Sequence, residues 1–382
     1  MSDARSAWRR FAERVAAAER HLPMDSPRAC ADALDYLAGL ARVALEQQLH
    51  GADPERPRFV ENPSPTSKWG AENADNRYLW APLRPDATYR VHGGRGTSFE
   101  LLFETKEGFL QLGHARNFAA RAASAMRADP DGRFEVRLGG AERDGNWLPL
   151  DPDARWLLVR EYFVDWEREE PAALTIERVG AGAAPLVASP ERVAAQLDAA
   201  AEWVEGTARC WSEWVAELRA AYAPGKLAPA RRYVGGADDI LYGNDWFRLG
   251  AGEALVVECE MPDARYWAFQ LVDPCFRSLD WANHQTSLNH SQLRIDPDGR
   301  VRVVVAHRDP GVANWLDTTG LPEGVFQYRF VWARTTPQPT ARIVPLVEVP
   351  ALLPDAARIA APARAAALAM RRAHAARRTL GV

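Results

Sequence analysis

An internal repeat constrains the fold of this chain more than any other feature of its sequence. Asp131-Gly132-Arg133 is followed by Asn146-Trp147-Leu148. The same order returns later as Asp298-Gly299-Arg300 and Asn314-Trp315-Leu316, at nearly the same spacing. Two matched triplets in order are improbable by chance. The chain is therefore expected to contain two copies of one structural unit.

Other residues extend this correspondence along the chain. The matched pairs are Leu83 with Leu249, Phe103 with Phe269, and Arg160 with Arg329. Their spacing grows slowly along the chain, as it does when single residues are inserted into loops. The repeat is much longer than those of solenoid proteins. It predicts two related units at about residues 76–179 and 242–347.

Both units have the alternation of polar and apolar residues that is typical of β-strands. Phe134-Glu135-Val136-Arg137-Leu138 in the first unit and Val301 to Ala306 in the second are examples. We therefore predict an α+β protein with two repeated antiparallel β-sandwich units and with N-terminal, central and C-terminal helices.

Composition and helix signals predict the boundaries of these parts. Ser189-Pro190 is a typical helix start, and residues 114–128 are predicted to form a helix within the first unit. The C-terminal helix is rich in Ala and Arg, and we expect it to be solvated or to contact another subunit. The predicted parts are N-terminal helices at 1–50, a linker at 51–75, the first unit at 76–188, a connecting helix at 189–225, the second unit at 242–347 and the C-terminal helix at 353–382.

Composition also narrows the class of protein. The 382 residues carry a formal net charge of -4, so a nucleic-acid partner is not expected, because phosphate binding draws on clustered Lys and Arg. No apolar run approaches the ~20 residues of a membrane span, and the N-terminus lacks the apolar stretch of a secretory signal. We expect a cytoplasmic protein with no membrane partner and with four reduced cysteines.

Motifs in the second unit resemble a known family. The sequence runs Trp281 to Gln292 (WANHQTSLNHSQ), then Asp296 to Gly299 (DPDG), His307 to Gly311 (HRDPG) and Asn314 to Asp317 (NWLD). Together with Lys68 to Tyr78, this order is similar to long members of the bacterial family called domain of unknown function 1214, over roughly residues 58–347. The resemblance implies β-rich, jelly-roll-like units. Some members are labelled carboxylesterase, but this chain has no G-x-S-x-G, so that activity is not carried over.

Three histidines of the second unit are candidates for chemistry. His284 and His290 lie close together in the sequence, and His307 closes a later strand. Three imidazoles can hold a zinc ion. No carboxylate is interleaved at the ligand spacing of known metal motifs, so we predict neither a metal nor a cofactor. The alternative is that these side chains cap loops or bond to the backbone.

The predicted catalytic residues are His290, His307 and Asp309. Either imidazole is a suitable general base near neutral pH. Arg308, beside them, is predicted to hold an anionic group of the substrate. A structural alternative is that Asp309-Pro310-Gly311 forms a tight turn.

Further side chains are predicted to bind the substrate where the loops of the second unit meet the first unit. Arg329 lies in an aromatic strand, where an inward-facing cation needs a partner and can hold a carboxylate. Asn314 and Trp315 recur as Asn146 and Trp147, which favours a structural role for them. The predicted substrate-binding residues are Arg308, Arg329, Trp281, Trp315, Asn314, His284, Lys68 and Trp69.

Three classes of function stay open at this stage. The first is an enzyme that acts on a small, partly apolar molecule at a cleft between the two units. The second is a non-catalytic module that binds a carbohydrate or another small ligand, since the chain has 14 Trp and indoles suit such sites. The third is a structural or assembly protein, for which a large apolar surface patch would be expected. A homo-oligomer is compatible with each class.

Overall fold

The computed structural model describes residues 2–180, 189–237 and 239–380 and contains two β-sandwich units. The end of the predicted first unit, residues 181–188, lies outside the described residues, as do the last two residues of the predicted C-terminal helix. Within the described ranges, no helix is long and apolar enough to cross a membrane.

The first unit consists of two sheets with an apolar core between them. Its strands are β1 (Val60–Glu61), β2 (Asn76–Pro82), β3 (Tyr89–Gly94), β4 (Glu100–Lys106), β5 (Asn117–Ala122), β6 (Arg133–Leu138), β7 (Trp147–Leu148), β8 (Trp156–Tyr162) and β9 (Ala173–Arg178). One sheet has the order β1-β2-β8-β4-β5 and the other β7-β6-β3-β9. Phe103 and Val159 from one sheet meet Val91 and Val136 from the other in the core.

The second unit is built in the same way. Its strands are β10 (Ile240–Arg248), β11 (Glu253–Glu260), β12 (Ala264–Val272), β13 (Ser287–Asn289), β14 (Arg300–Ala306), β15 (Trp315–Asp317), β16 (Glu323–Ala333) and β17 (Thr340–Pro345). The sheets have the orders β10-β16-β12-β13 and β15-β14-β11-β17. Phe269 and Phe326 from one sheet pack on Val257 and Val303 from the other.

The strand orders of the two units correspond strand by strand, which confirms the predicted repeat. The order β2-β8-β4-β5 matches β10-β16-β12-β13, and β7-β6-β3-β9 matches β15-β14-β11-β17. The unusual pairings are also shared, since β6 and β7 run parallel, as do β14 and β15. The fold class is therefore α+β with two repeated sandwich units of mainly antiparallel strands.

The repeated Asn-Trp pairs have the same contacts in both units. Asn146 donates hydrogen bonds to two main-chain carbonyls at 2.7 and 3.0 Å, and Asn314 does so at the same two distances. The indole N–H groups of Trp147 and Trp315 each donate to a main-chain carbonyl at 3.0 Å. The pair therefore fastens a loop to the sheet in each unit.

Residues 114–128 do not form the predicted helix, and that prediction was wrong. The segment contains β5, which pairs with β4, and then a short 3-10 turn at Ala123–Ala125. Its alanines favour a helix in isolation. Pairing with the edge of a sheet outweighs that local preference, because strand formation depends on the neighbouring strand.

Three long helices pack beside the sandwiches. They are α1 (Ser2–Ala17), α2 (Pro27–Leu45) and α3 (Pro190–Ala221). The start of α3 agrees with the sequence signal, since the Ser189 hydroxyl accepts a hydrogen bond from the Arg192 N–H at 3.1 Å and Pro190 is the first helical residue. α1 and α2 cover α3, which leaves another part of α3 for the two units.

The C-terminal helix was predicted either to be solvated or to contact another subunit. The prediction that it is solvated was wrong. After the short α4 (Val349–Leu352), α5 (Ala361–Leu380) places Arg364, Arg371, His374 and Arg378 in buried positions. Arg371 donates to the main-chain carbonyls of Trp281 and Ser287. Arginine stems and stacked guanidinium groups supply the packing that alanine cannot.

Candidate functional site

The two units face each other through one sheet of each. The outer face of the β2-β8-β4 sheet meets the outer face of the β10-β16-β12 sheet. Leu102 and Tyr162 of the first unit pack there against Tyr266, Ala268 and Val331 of the second. The contact makes a continuous apolar seam between the units.

Beside this seam lies an open cavity of about 430 Å³ that is lined by both facing sheets. Its wall includes Tyr78, Trp80 and Arg160 from the first unit and Tyr242, Gln327 and Arg329 from the second. Ligand sites commonly lie at such junctions between structural units. The cavity is therefore the candidate functional site.

The strand period explains why these side chains share one wall. Tyr78 and Trp80 are two residues apart on β2, so both point to the same face of the sheet. Leu79 between them points into the core of the first sandwich. On β8, Leu158 and Arg160 face the cavity by the same alternation.

Aromatic side chains from other elements complete the wall. Trp211 and Trp214 come from α3, Trp69 from the segment that precedes β2, and Phe276 from the segment after β12. The rings contact one another, with centroids 4.3 Å apart for Trp214 and Phe276 and 5.4 Å apart for Trp211 and Phe276. Such walls suit a flat apolar group.

Each facing sheet carries one arginine above one tyrosine. Tyr78 stands opposite Arg160 in the β2–β8 pairing, and Tyr242 stands opposite Arg329 in the β10–β16 pairing. The guanidinium carbon lies 5.7 Å from the ring centroid in the first pair and 5.6 Å in the second. The repeat has thus placed equivalent cation–π pairs on both sides of the cavity.

The two arginines differ in their charge partners. Arg160 donates through Nε to the buried carboxylate of Glu104 at 2.5 Å. Arg329 is 4% exposed and donates to the Ala71 carbonyl at 3.1 Å and to the amide oxygen of Gln327. Among the described residues, no carboxylate forms an ion pair with Arg329. Its charge is thus buried without a counter-charge in contact, an arrangement that costs stability.

The guanidinium of Arg329 retains donor capacity toward the cavity. Its hydrogen bonds to other described residues all use Nη2. Within the part of the chain that the structure describes, Nε and Nη1 have no hydrogen-bond partner, and neither atom is sealed from solvent. The Nε–H and Nη1–H groups point to different sides of the guanidinium, and each can donate a single charge-assisted hydrogen bond to a carboxylate oxygen.

Both arginines act on the same tyrosine. Burial raises the pKa of Tyr78, and the charges of Arg329 and Arg160 oppose that rise. The Tyr78 hydroxyl accepts a hydrogen bond from the Asn73 N–H at 2.9 Å. Tyr78 is therefore a neutral phenol that lies between two cations at the cavity wall.

The acidic residue in the wall, Glu72, is occupied by other partners. Its carboxylate bonds to the hydroxyl and the N–H of Ser278. Burial raises the pKa of Glu72, and the nearby Lys68 opposes the rise. Lys68 donates to the carbonyls of Ser278 and Leu279 at 3.1 and 2.8 Å. Glu72 and Lys68 thus offset each other's charge beside the cavity.

The three predicted histidines have separate partners. His284 bonds through Nδ1 to Asp317 at 2.9 Å. His307 bonds to the Thr318 hydroxyl at 2.6 Å and to the Leu249 carbonyl at 3.0 Å. Because a carbonyl only accepts, Nε2 of His307 carries the proton and Nδ1 accepts from Thr318, so both nitrogens are engaged.

His290 lies in an aromatic environment away from the cavity wall. Its ring centroid is 6.0 Å from that of Tyr266, 6.3 Å from Trp267 and 6.4 Å from Phe99. Burial lowers the pKa of His290. Among the described residues, no group of three or more His, Cys, Asp or Glu side chains could hold a metal ion.

The loop that holds the other predicted residues meets the C-terminal helix. Asp309 accepts from Arg364 of α5 at 3.0 Å and from the Gly311 N–H at 2.8 Å. Arg308 is exposed. Trp315 lies under the Arg364 guanidinium, 5.2 Å from the ring centroid. The expected meeting of this loop with the first unit is not among these contacts.

Trp281 is also part of the packing around α5. Its ring is 4% exposed, and the Arg378 guanidinium lies 4.7 Å from its centroid. Lys68 lies 5.9 Å from the same ring. Trp281 does not line the cavity. It lies where the two units contact the last helix.

Two of the predicted substrate-binding residues, Trp69 and Arg329, line the cavity. The catalytic roles assigned to His290, His307 and Asp309 stay predictions, as do the binding roles of the remaining residues. Sequence reasoning left Trp80, Tyr242, Trp211 and Trp214 out of the site. Trp80 and Tyr242 can be identified from the strand pattern. Each lies on a strand at a position whose side chain faces away from the sandwich core.

Comparison with known proteins agrees with the duplicated architecture. The family described as "Protein of unknown function (DUF1214)" matches residues 80–163 and 247–332, one stretch in each unit. A solved structure of an uncharacterised protein from Burkholderia cenocepacia is 34% identical, covers 89% of this chain and 97% of that chain, and has a TM-score of 0.84. A protein from Vibrio parahaemolyticus is 12% identical, covers 86% and 100%, and has a TM-score of 0.47. No curated protein matches the chain.

The fold and the cavity define a protein of two duplicated sandwiches with an aromatic, arginine-bearing site between them. The chain belongs to the DUF1214 family, in agreement with the resemblance drawn from its motifs.

Proposed function

We propose that this protein binds a small organic anion with a flat apolar body in the cavity between its two units. Arg329 holds the anionic group, and the rings of Trp69, Trp211, Trp214 and Phe276 contact the apolar part. A carboxylate oxygen accepts a charge-assisted hydrogen bond from a guanidinium N–H.

One observation carries this proposal: Arg329 is a buried cation without a carboxylate partner among the described residues, and two of its N–H groups open toward an aromatic cavity. Arg160, the equivalent arginine of the first unit, is paired with Glu104. A bound anion supplies the missing charge.

Binding is favoured over catalysis by the composition of the wall. Among the described lining residues there is no histidine, and Glu72 is bonded to Ser278. An enzyme that uses His290, His307 or Asp309 would need a second site, since none of the three lines the cavity.

The test is a titration of the purified full-length chain with phenylacetate and indole-3-acetate, using each corresponding amide as the neutral control. Heat of binding and tryptophan fluorescence are the readouts, because four indoles lie in the wall. We expect the acids to bind at least about tenfold more tightly than the amides, since a charge-assisted bond to Arg329 contributes roughly 1.5–3 kcal/mol.

Arg329→Gln and Arg308→Gln form a matched pair of variants. Both remove one arginine of the second unit, but Arg308 is exposed and does not line the cavity. We expect Arg329→Gln to abolish the preference for acid over amide and Arg308→Gln to keep it. Equal affinity for acid and amide in the unmodified chain, or loss of binding through Arg308→Gln alone, would contradict the proposal.

A further inference from the structure

We infer that the ligand carries a single negative charge, and that the difference between Glu104 in the first unit and Gln270 in the second sets this selectivity. The inference rests on the proposed function, because it specifies the ligand of the same cavity. It concerns how many anionic groups the cavity accepts and which arginine receives them.

The repeat makes Glu104 and Gln270 equivalent. Each follows directly after a matched phenylalanine, Phe103 or Phe269. Glu104 lies beside β8 in the first unit, and Gln270 lies beside β16 in the second. The same position on the sheet therefore holds a carboxylate in one unit and a neutral amide in the other.

This difference decides the charge on each side of the cavity. Glu104 neutralises Arg160 through a 2.5 Å contact. Gln270 donates to the amide oxygen of Gln327 at 2.8 Å, and that oxygen also accepts from Arg329. An amide oxygen satisfies a donor without cancelling its charge, so Arg329 keeps an uncancelled positive charge and Arg160 does not.

The remaining cation in the wall, Lys106, is engaged by the protein. Its ammonium group donates to the Asn117 side chain and to the Gly235 carbonyl. Asn117 in turn donates to the Gly236 carbonyl at 2.7 Å. Lys106 therefore holds the segment around Gly235 against the first unit, and Arg329 is left as the receptor for one carboxylate.

The experiment compares phenylacetate with the three isomers of phenylenediacetate, which place a second carboxylate at different distances from the first. Affinity is measured by calorimetry at neutral pH on the full-length chain. For the unmodified protein we expect phenylacetate to bind at least about tenfold more tightly than any diacid, because the second carboxylate would lose its hydration without meeting a second guanidinium whose charge is uncancelled.

Two nearly isosteric variants shift the charge in opposite directions. Glu104→Gln frees Arg160, and we expect the affinity for at least one diacid to rise at least about tenfold relative to phenylacetate. Gln327→Glu places a carboxylate against Arg329, and we expect phenylacetate binding to be lost. Melting temperature shows that each variant is folded, and if Glu104→Gln is not, the comparison of phenylacetate with the diacids on the unmodified chain decides.

Three outcomes are distinguishable. Diacids that bind the unmodified chain as tightly as phenylacetate would overturn this inference and leave the proposed function standing. Unchanged phenylacetate affinity in folded Gln327→Glu would show that Arg329 does not hold the anionic group, and would overturn the proposed function together with this inference. Failure of every aromatic acid to bind the unmodified chain would instead overturn the proposed function, and this inference with it.

Discussion

Arg160 and Arg329 occupy equivalent positions in two copies of one sandwich and line the same cavity, yet they have different charge partners. Arg160 contacts the carboxylate of Glu104, whereas Arg329 contacts a main-chain carbonyl and an amide oxygen. Duplication supplied two arginines at one interface. The second copy has no carboxylate at the position of Glu104, so Arg329 keeps a charge that a bound anion would neutralise.

This difference predicts that two methionine substitutions change the free energy of unfolding by very different amounts. Arg160→Met leaves Glu104 buried without its partner and should lower the free energy of unfolding by about 3–5 kcal/mol. Arg329→Met removes a buried charge that has no carboxylate partner, so the ligand-free protein should change by no more than about 1 kcal/mol. Urea denaturation measures both values.

The melting temperature in the presence of a ligand gives a second test of the role of Arg329. A ligand that binds the native state raises the melting temperature, so phenylacetate should stabilise the unmodified chain and leave Arg329→Met unaffected. A strongly destabilised ligand-free Arg329→Met would show that the arginine is structural, contrary to our account.

Alkylation of Cys210 should report occupancy of the cavity. Cys210 lines the cavity and is partly buried, while Cys30 is partly buried elsewhere and serves as the internal control. We expect saturating phenylacetate to slow iodoacetamide modification of Cys210 severalfold and to leave Cys30 unchanged, as measured by peptide mass spectrometry. Equal slowing of both thiols would indicate general stabilisation and not occupancy of the cavity.

The Asn-Trp pairs should behave as structural elements. Asn314→Ala removes two donated hydrogen bonds and one accepted from the Arg294 N–H, and we expect a loss of about 2–3 kcal/mol. Asn146→Ala should cost less, because Asn146 is only partly buried. Phenylacetate affinity should be unchanged in both variants. A selective loss of affinity in Asn314→Ala would restore its predicted role in substrate binding.

His374 should make the protein less stable in acid. It is fully buried and stacks on Trp166, with ring centroids 4.6 Å apart. Burial, aided by the charges of Arg378, Arg377 and Arg371, lowers its pKa to about 2. Below pH ~6.5 the unfolded chain binds a proton that the folded chain does not, so this contribution to stability is present above pH ~6.5 and is lost as the pH falls toward 2.

The matched variant for this prediction is His374→Phe, which keeps an aromatic ring and cannot titrate. Between pH 7 and pH 5 the unmodified chain should lose about 2 kcal/mol more unfolding free energy than the variant. Identical pH dependence of the two proteins would show that His374 does not govern this loss.

The sequence predicted the fold well because the repeat leaves a direct trace in it. The matched triplets and the matched phenylalanines lie at equivalent positions of the two units, and the strand orders of the two units agree. The helix at 114–128 was mispredicted because composition does not show which sheet edge is available for β5. The C-terminal helix was misjudged because the carbonyls and rings that receive Arg371 lie far from it in sequence.

The site was predicted only in part, for a related reason. Polar and aromatic density drew attention to His307 and Asp309, which the structure places in contacts with Thr318 and Arg364. The cavity instead comprises residues scattered over both units and α3. A side chain such as Tyr242 becomes a site residue only when two sheets meet, and no local pattern in the sequence records that meeting.

The most direct test is a crystal structure of the full-length chain grown with saturating phenylacetate. Our account predicts the ring among Trp211, Trp214 and Phe276, with its carboxylate within hydrogen-bonding distance of the Arg329 guanidinium. A carboxylate bound at Arg160 in place of Arg329, or a ligand found only at another surface, would contradict it.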